Sequence, residues 1–173
     1  MTNDSGDYSD KTLFEPVALE DLQNPLVRDA VAFWRSLCGS RRFPAHGDLD
    51  PRALSRFQSH MILLKVIEDG ADFEYRFVGE VQREAYVRPY VGRRLTDPAN
   101  VSPYNEPFLA GYRFIQKHGT PFALRGWAGK DFTFSKFAYF ESVALPLGPD
   151  DDHVDHIVIF SAYAPRDLKP VLR

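Results

Sequence analysis

The stretch "HMILLKVIEDGADFEYRFVG", ending at Gly79, limits the fold more than any other part of the chain. "MILLKVI" is a nearly continuous apolar run, the pattern of a central strand covered on both faces. Glu68, Asp69 and Gly70 supply a turn. Phe73, Tyr75 and Phe77 then alternate with Glu74 and Arg76, which predicts a second, antiparallel strand. A lone hairpin cannot bury so ring-rich a face. It must share a sheet with strands from elsewhere in the chain.

Those strands are legible near the end: "PFALRGWA", "KFAYFESVALPL" and "HIVIFSAYA", with "GPDDDHVD" as the hairpin loop between the last two. The intervening segment reads as helical cover for one sheet face. Past Gly79, Val78, Val81, Ala85 and Tyr86 recur at helical spacing until Pro89, whose predecessor is biased away from the helical region. A proline-rich connector, "RRLTDPANVSPYNEP", leads to a longer helix from near Asn105. Phe108, Tyr112 and Ile115 form its apolar face, and it stops at His118-Gly119. Pro107 is tolerated in its first turn.

Upstream, "NPLVRDAVAFWRSLCGS" predicts an amphipathic helix. Asn24 can cap it, Pro25 fits the first helical position, and Gly39 is a natural stop. Leu26, Ala30, Phe33, Trp34 and Leu37 share one stripe. "DPRALSRF" adds a short turn of helix from Asp50-Pro51. The predicted organisation is a mostly disordered lead over 1–23, one α+β domain over 24–165 and a tail over 166–173. The acidic, Ser-rich opening "MTNDSGDYSD" has little to bury.

Composition narrows the function classes. A chain of 173 residues supports one sizeable core. The net charge of −3 lacks the strongly basic field of a dedicated nucleic-acid binder. The single cysteine, Cys38, excludes an internal disulfide and suits a reducing compartment. No basic flank and apolar core mark a secretory signal, and the apolar runs are too short to span a bilayer. The expectation is a cytoplasmic protein without membrane insertion.

Catalytic and metal motifs are weak. "DDDHVDH" gathers Asp150, Asp151, Asp152, His153, Asp155 and His156, side chains that could ligate zinc or manganese. Turns also collect aspartate, and a solvated acidic turn is the favoured reading. His118 reads as a helix-end residue rather than a haem ligand. His46 and His60 have no visible partners. No nucleophile elbow or phosphate-binding glycine loop is present, and Cys38 reads as an inert thiol on the helix's apolar face. Arg83, Arg88, Arg93 and Arg94, interleaved with Tyr86 and Tyr90, form a basic-aromatic patch that could meet an anionic ligand or an acidic partner. A solvated helix and turn is the simpler reading. Glu141 and Arg125 are candidate cross-strand partners with a structural role.

Four stretches carry a family resemblance: "AVAFWRSLCGSRRFPAHGDLDPRAL", "FEYRFVGEVQREAYVRPYVGRRLTD", "GYRFIQKHGTPF" and "YFESVALPLGPDDDHVDHIVIFSAY". They span about residues 24–163. The tryptophan helix followed by "DLDP", the "YRFVG" strand end and the "LPL" before a polar turn are their most specific pieces. In order and spacing they resemble a PAS domain, in particular the single-PAS family of proteobacteria, formerly a domain of unknown function. The resemblance implies a five-stranded antiparallel sheet of chain order 2-1-5-4-3, with helices across one face. It also implies a sensory or regulatory module in bacterial signal transduction, acting through protein contacts with a small ligand as modulator. With the last strand so near the end of the sequence, the expectation is a module without an output region of its own, whose signal passes to a partner such as a signalling kinase.

The implied candidate pocket is Phe73, Tyr75, Phe77, Tyr86, Phe108, Tyr112 and Ile115, with solid packing of those rings as the alternative. The helix bearing Phe33, Trp34 and Leu37 would pack on the sheet or make a homodimer. No catalytic residue, metal or cofactor is expected. Covalent flavin chemistry needs a cysteine on a central helix, and Cys38 lies upstream. The family's haem ligand comes from the long helix, which offers only His118 at its end. Two rivals stand beside this reading. One is an NTF2-like small-molecule-binding protein or enzyme, with Glu141 or His156 as its acid or base. The other is a ligand-free dimerisation domain. Strand order separates the first rival, because the PAS arrangement makes the first and last strands central neighbours.

Overall fold

The computed structural model describes residues 13–85, 92–98, 105–127 and 137–165. The fold is α+β, built on one six-stranded antiparallel sheet. Its strands are β1 (Leu13–Val17), β2 (Met61–Ile67), β3 (Asp72–Val78), β4 (Phe122–Trp127), β5 (Phe137–Leu147) and β6 (His156–Pro165). The helices are α1 (Pro25–Cys38), α2 (Pro51–Leu54), α3 (Glu80–Ala85) and α4 (Asn105–His118). The strand order is β1-β4-β5-β6-β2-β3.

The sheet therefore has six strands where the sequence predicts five. The additional one, β1, falls inside the span expected to be a disordered lead. It pairs with β4 from Leu13↔Trp127 to Val17↔Ala123. Pro16 has no N–H to donate, so a segment such as "LFEPV" is viable only on a sheet edge. Its stabilising partner lies far along the chain, where local pattern cannot reveal it. As a result α1 is not the first element of the fold.

The local signals for α1 act as expected. The Asn24 side chain accepts from the Leu26 and Val27 N–H groups, Pro25 takes the first helical position, and Gly39 follows the end at φ 58°. The buried stripe is rotated, however. Val27, Ala30, Val31 and Trp34 are buried, whereas Leu26, Phe33 and Leu37 are half-buried. Trp34 donates from Nε1 to the Pro146 carbonyl at 3.0 Å, which fixes the helix to the middle of the sheet.

Register assigns the two faces. Val143 and Leu145 of β5 and Val158 and Phe160 of β6 point toward α1, while Ser142, Ala144 and Ile159 point toward α4. Period-two alternation makes this division complete along each strand. α1 and α4 thus lie on opposite faces, both over β5 and β6. Phe33 meets Phe57, which meets Phe160, on the α1 side. Ile115, Leu109, Leu64, Phe73 and Ile157 are buried on the α4 side.

β3 contains a bulge. Leu63 pairs with Phe77 and its neighbour Leu64 with Tyr75, so Arg76 is the extra residue. Tyr75 and Phe77 consequently face opposite sides of the sheet, against the simple alternation. Gly79 then leaves the sheet at a point of backbone contact. A Cβ there would lie 2.3 Å from the Gln58 carbonyl oxygen and 2.4 Å from that of Ser59. The glycine answers a steric demand of close approach.

Candidate functional site

The face beneath α4 is the candidate site. The four- and three-residue spacing of Phe108, Tyr112 and Ile115 sets them along one stripe of the helix. Phe73 meets Tyr112 edge-on at 5.6 Å between centroids, and Phe108 and Tyr112 lie 6.4 Å apart at 18°. Phe14 of β1 extends the row to Phe108 and to Phe140, each at 5.6 Å. Such offset and edge-on pairs each contribute about 0.5–1.5 kcal/mol beyond area burial.

Of the candidate pocket residues, Phe73, Tyr75, Phe108, Tyr112 and Ile115 share this face. Phe77 lies on the other face because of the bulge, and Tyr86 lies outside the described residues. Within the face a cavity of about 30 Å³ remains, between Phe108, Gly111 and Tyr112 of α4 and Phe122, Leu124 and Ser142 of the sheet. That is room for about two waters. Organic ligands occupy pockets of several hundred Å³.

Polar groups converge beside the rings, and sequence reasoning missed them. Ser142 and Ser161 are linked through their hydroxyls at 2.8 Å. The Tyr163 hydroxyl donates to Oε1 of Gln82. Gln82 Nε2 donates to the His60 carbonyl at 2.8 Å, and His60 Nδ1 donates to the Ser161 carbonyl at 2.9 Å. Gln82 is 1% exposed. The network joins α3, the turn before β2, and the centre of the sheet. Its only sequence signal is a serine inside each of two apolar runs, "ESVALPL" and "IFSAYA".

The remaining motifs resolve into separate places. Glu141 and Arg125 are directly opposite across β4 and β5, with Arg125 Nη2 3.4 Å from Oε2. Glu141 is 1% exposed. It accepts from the Gln23 N–H at 3.0 and 3.1 Å and from the Asn24 N–H at 2.7 Å. It anchors the start of α1. His156, the other acid-base candidate, lies at the opposite end of the paired strands, across from Leu147.

In the acidic turn, Asp150 accepts from the Asp152 and His153 N–H groups, each at 2.9 Å, and from His153 Nδ1 at 2.8 Å. Those contacts hold the Asp150 carboxyl below its ordinary range, the Asp152 N–H first among them. The same carboxylate raises the His153 imidazole. Among the described residues no group of three such side chains is placed to hold one metal ion.

His118 is exposed at the end of α4, its ring against Phe114 at 4.7 Å. It does not reach the cavity. Cys38 is half-buried, and burial pushes its thiol up. Arg83 is exposed, Arg93 pairs with Asp97 at 3.3 Å, and Arg94 bridges to Glu74 through the backbone. Arg88 lies outside the described residues. Trp34, expected at an interface, is used inside the molecule. Phe33 and Leu37 are half-buried beside it.

No described helix is long and apolar enough to cross a membrane. No known family model matches the chain, and neither does any curated protein.

Proposed function

We propose that the chain is a PAS-type regulatory module, in which a ring-covered sheet face under α4 controls contacts with a signalling protein. The observation that carries this reading is the strand order. The run β3-β2-β6-β5-β4 sets the first and last strands of the expected five side by side at the centre. β1 is an addition at the β4 edge. The described helices between β3 and β4, α3 and α4, lie toward one face, as the PAS reading requires and an NTF2-like cone does not.

The small cavity favours contact over storage. At this cavity a ligand of ordinary size would displace α4 from the sheet and so act by changing that packing. Self-association is part of the proposal, but Trp34 is committed to Pro146. A dimer through α1 would rest on Phe33, Leu37 and the exposed side of the helix.

Full-length tagged protein and its Gly111→Leu variant, which fills the cavity, test the reading. Native mass spectrometry and peptide identification are run on both after purification from the cell. The expected result is one recurrent protein partner, with recovery at least about tenfold lower for Gly111→Leu. Equal recovery from both, or no recurrent partner for either, overturns it.

A further inference from the structure

His46 and His156 are far apart in the chain, yet their rings stack with centroids 4.4 Å apart and 18° between planes. His46 opens a short 3-10 turn, His46–Asp48, between α1 and α2. His156 opens β6, and its side chain is only 15% exposed. His156 Nδ1 lies 2.9 Å from Asp155 Oδ1 and donates to it. Stacked rings present faces to each other rather than nitrogen lone pairs to a common point, so this is not chelation geometry.

Charged groups surround the pair. Lys65 lies opposite His156 across the β2–β6 ladder. Arg76 acts on His46 from β3 and is itself paired with Glu74 at 2.6 Å. Asp48, in the turn, accepts from the Ala45 N–H at 2.8 Å and lies 3.8 Å from Arg41. Asp155 is the carboxylate in contact with the rings' own system. The turn is tethered at its base by the Gly148 N–H to the Pro44 carbonyl at 3.0 Å, next to buried Phe43.

We propose that His46 and His156 form a proton-operated latch: with at most one ring charged they hold the His46–Asp48 turn against the sheet, and a second proton releases it. His156 Nδ1 donates to Asp155, which fixes that ring's orientation in the stack. At stacking distance a charge on one ring opposes a charge on the other. His46 is an exposed residue, and the partial burial of its ring, and after it His156, lower its imidazole. The folded state therefore favours neutral His46. The latch is fully set above the ordinary imidazole value of about 6.5 and is lost as pH falls below it. Release is local, because Pro44 and Phe43 remain fastened. This inference is independent of the PAS reading.

The test is an imidazole NMR titration of the full-length protein with amide hydrogen exchange, from pH 8 to 5. The Asp48 and Leu49 amides, bonded to Ala45 at 3.0 Å and His46 at 3.2 Å, report the turn. The expected result is two coupled titrations separated by more than about one pH unit. Protection at Asp48 and Leu49 should also fall at least about tenfold beyond the intrinsic trend between pH 7 and 5. His46→Phe keeps a ring on His156 without its charge and should remove that fall. His156→Gln should raise the His46 midpoint part of the way toward the ordinary value, since the burial that lowers it most remains. Independent titrations near that value in the wild type overturn the latch, as does an unchanged loss of protection in His46→Phe. If His46→Phe does not fold, an unmoved His46 midpoint in His156→Gln overturns it alone.

Discussion

Glu141 offers the sharpest test of how this molecule is held together. Its carboxylate is 1% exposed and receives the Gln23 and Asn24 N–H groups at the entry to α1. Arg125, 13% exposed, faces it and also donates to the Asp21 carbonyl at 2.7 Å. Glu141→Ala strips the acceptor from two backbone donors and leaves a mostly buried guanidinium without its counter-charge. Breaking a buried pair from one side costs about 3–5 kcal/mol, a large share of a total stability of about 5–15 kcal/mol. At about 2–4 °C per kcal/mol for a chain of this size, the melting temperature should drop by roughly 10 °C.

Glu141→Gln keeps one acceptor oxygen and should lose about half as much, since a bond to a charged group is worth about 1.5–3 kcal/mol and a neutral one about 1. Urea unfolding followed by far-UV circular dichroism measures both, with the m-value unchanged. Replacing both partners, Glu141→Leu with Arg125→Met, should recover part of the loss because no buried charge is then left alone. A Glu141→Ala variant within about 1 kcal/mol of the wild type would refute the anchoring argument. So would a double variant no better than Glu141→Ala. A stabilised Glu141→Gln that lost a measured turnover would move the residue from scaffold to catalysis.

Trp34→Phe retains most of the buried ring but strands the Pro146 carbonyl, and chemical denaturation should show a loss of about 1–3 kcal/mol. Gly79→Ala drives a methyl into the Gln58 and Ser59 carbonyls. Calorimetry should register at least about 1–3 kcal/mol of destabilisation, with the β3–α3 junction losing amide protection first. Asp150→Asn removes the partner that raises His153. The His153 imidazole should then titrate lower, toward about 6.5, by proton NMR. The pair's stabilisation is lost at high pH as His153 deprotonates and at low pH as Asp150 protonates, so its contribution is confined to the window between.

Much of the architecture was legible because its signals are local. Asn24, Pro25 and Gly39 mark both ends of α1 within the helix's own sequence. Phe108, Tyr112 and Ile115 declare the buried stripe of α4, and five strands announce themselves by apolar runs and turn residues. What escaped depends on partners distant in the chain. β1 exists because β4 supplies its ladder. Phe77 changes face because of a bulge at Arg76, which no glycine announces. The α1 stripe chosen by the sheet, Val27 and Val31 with Ala30 and Trp34, competes with a neighbouring apolar stripe through Leu26 and Phe33. Both are hydrophobic, so periodicity alone does not choose. Gln82 and Tyr163 look like ordinary surface residues until the fold brings them together.

The two sheet faces are fastened differently, and the difference bears on regulation. On one face, α1 is tied at its start by Glu141 and at its middle by Trp34, so it is pinned to β5 along its length. On the other, aimed hydrogen bonds hold the C-terminal end of α4 among the described residues. Arg113 donates to the Gly70 and Ala71 carbonyls at 3.0 and 2.9 Å, Gln116 to Asp69 at 3.0 Å, and Arg42 to the His118 carbonyl at 2.7 Å. The other half of α4, with Phe108, Gly111 and Tyr112, lies over the cavity. If the PAS reading holds, a ligand or partner acting at the cavity displaces the Phe108 half of α4 relative to residues 113–118. The α1 face, held by buried groups of fixed geometry, then serves as the rigid base against which that motion is read.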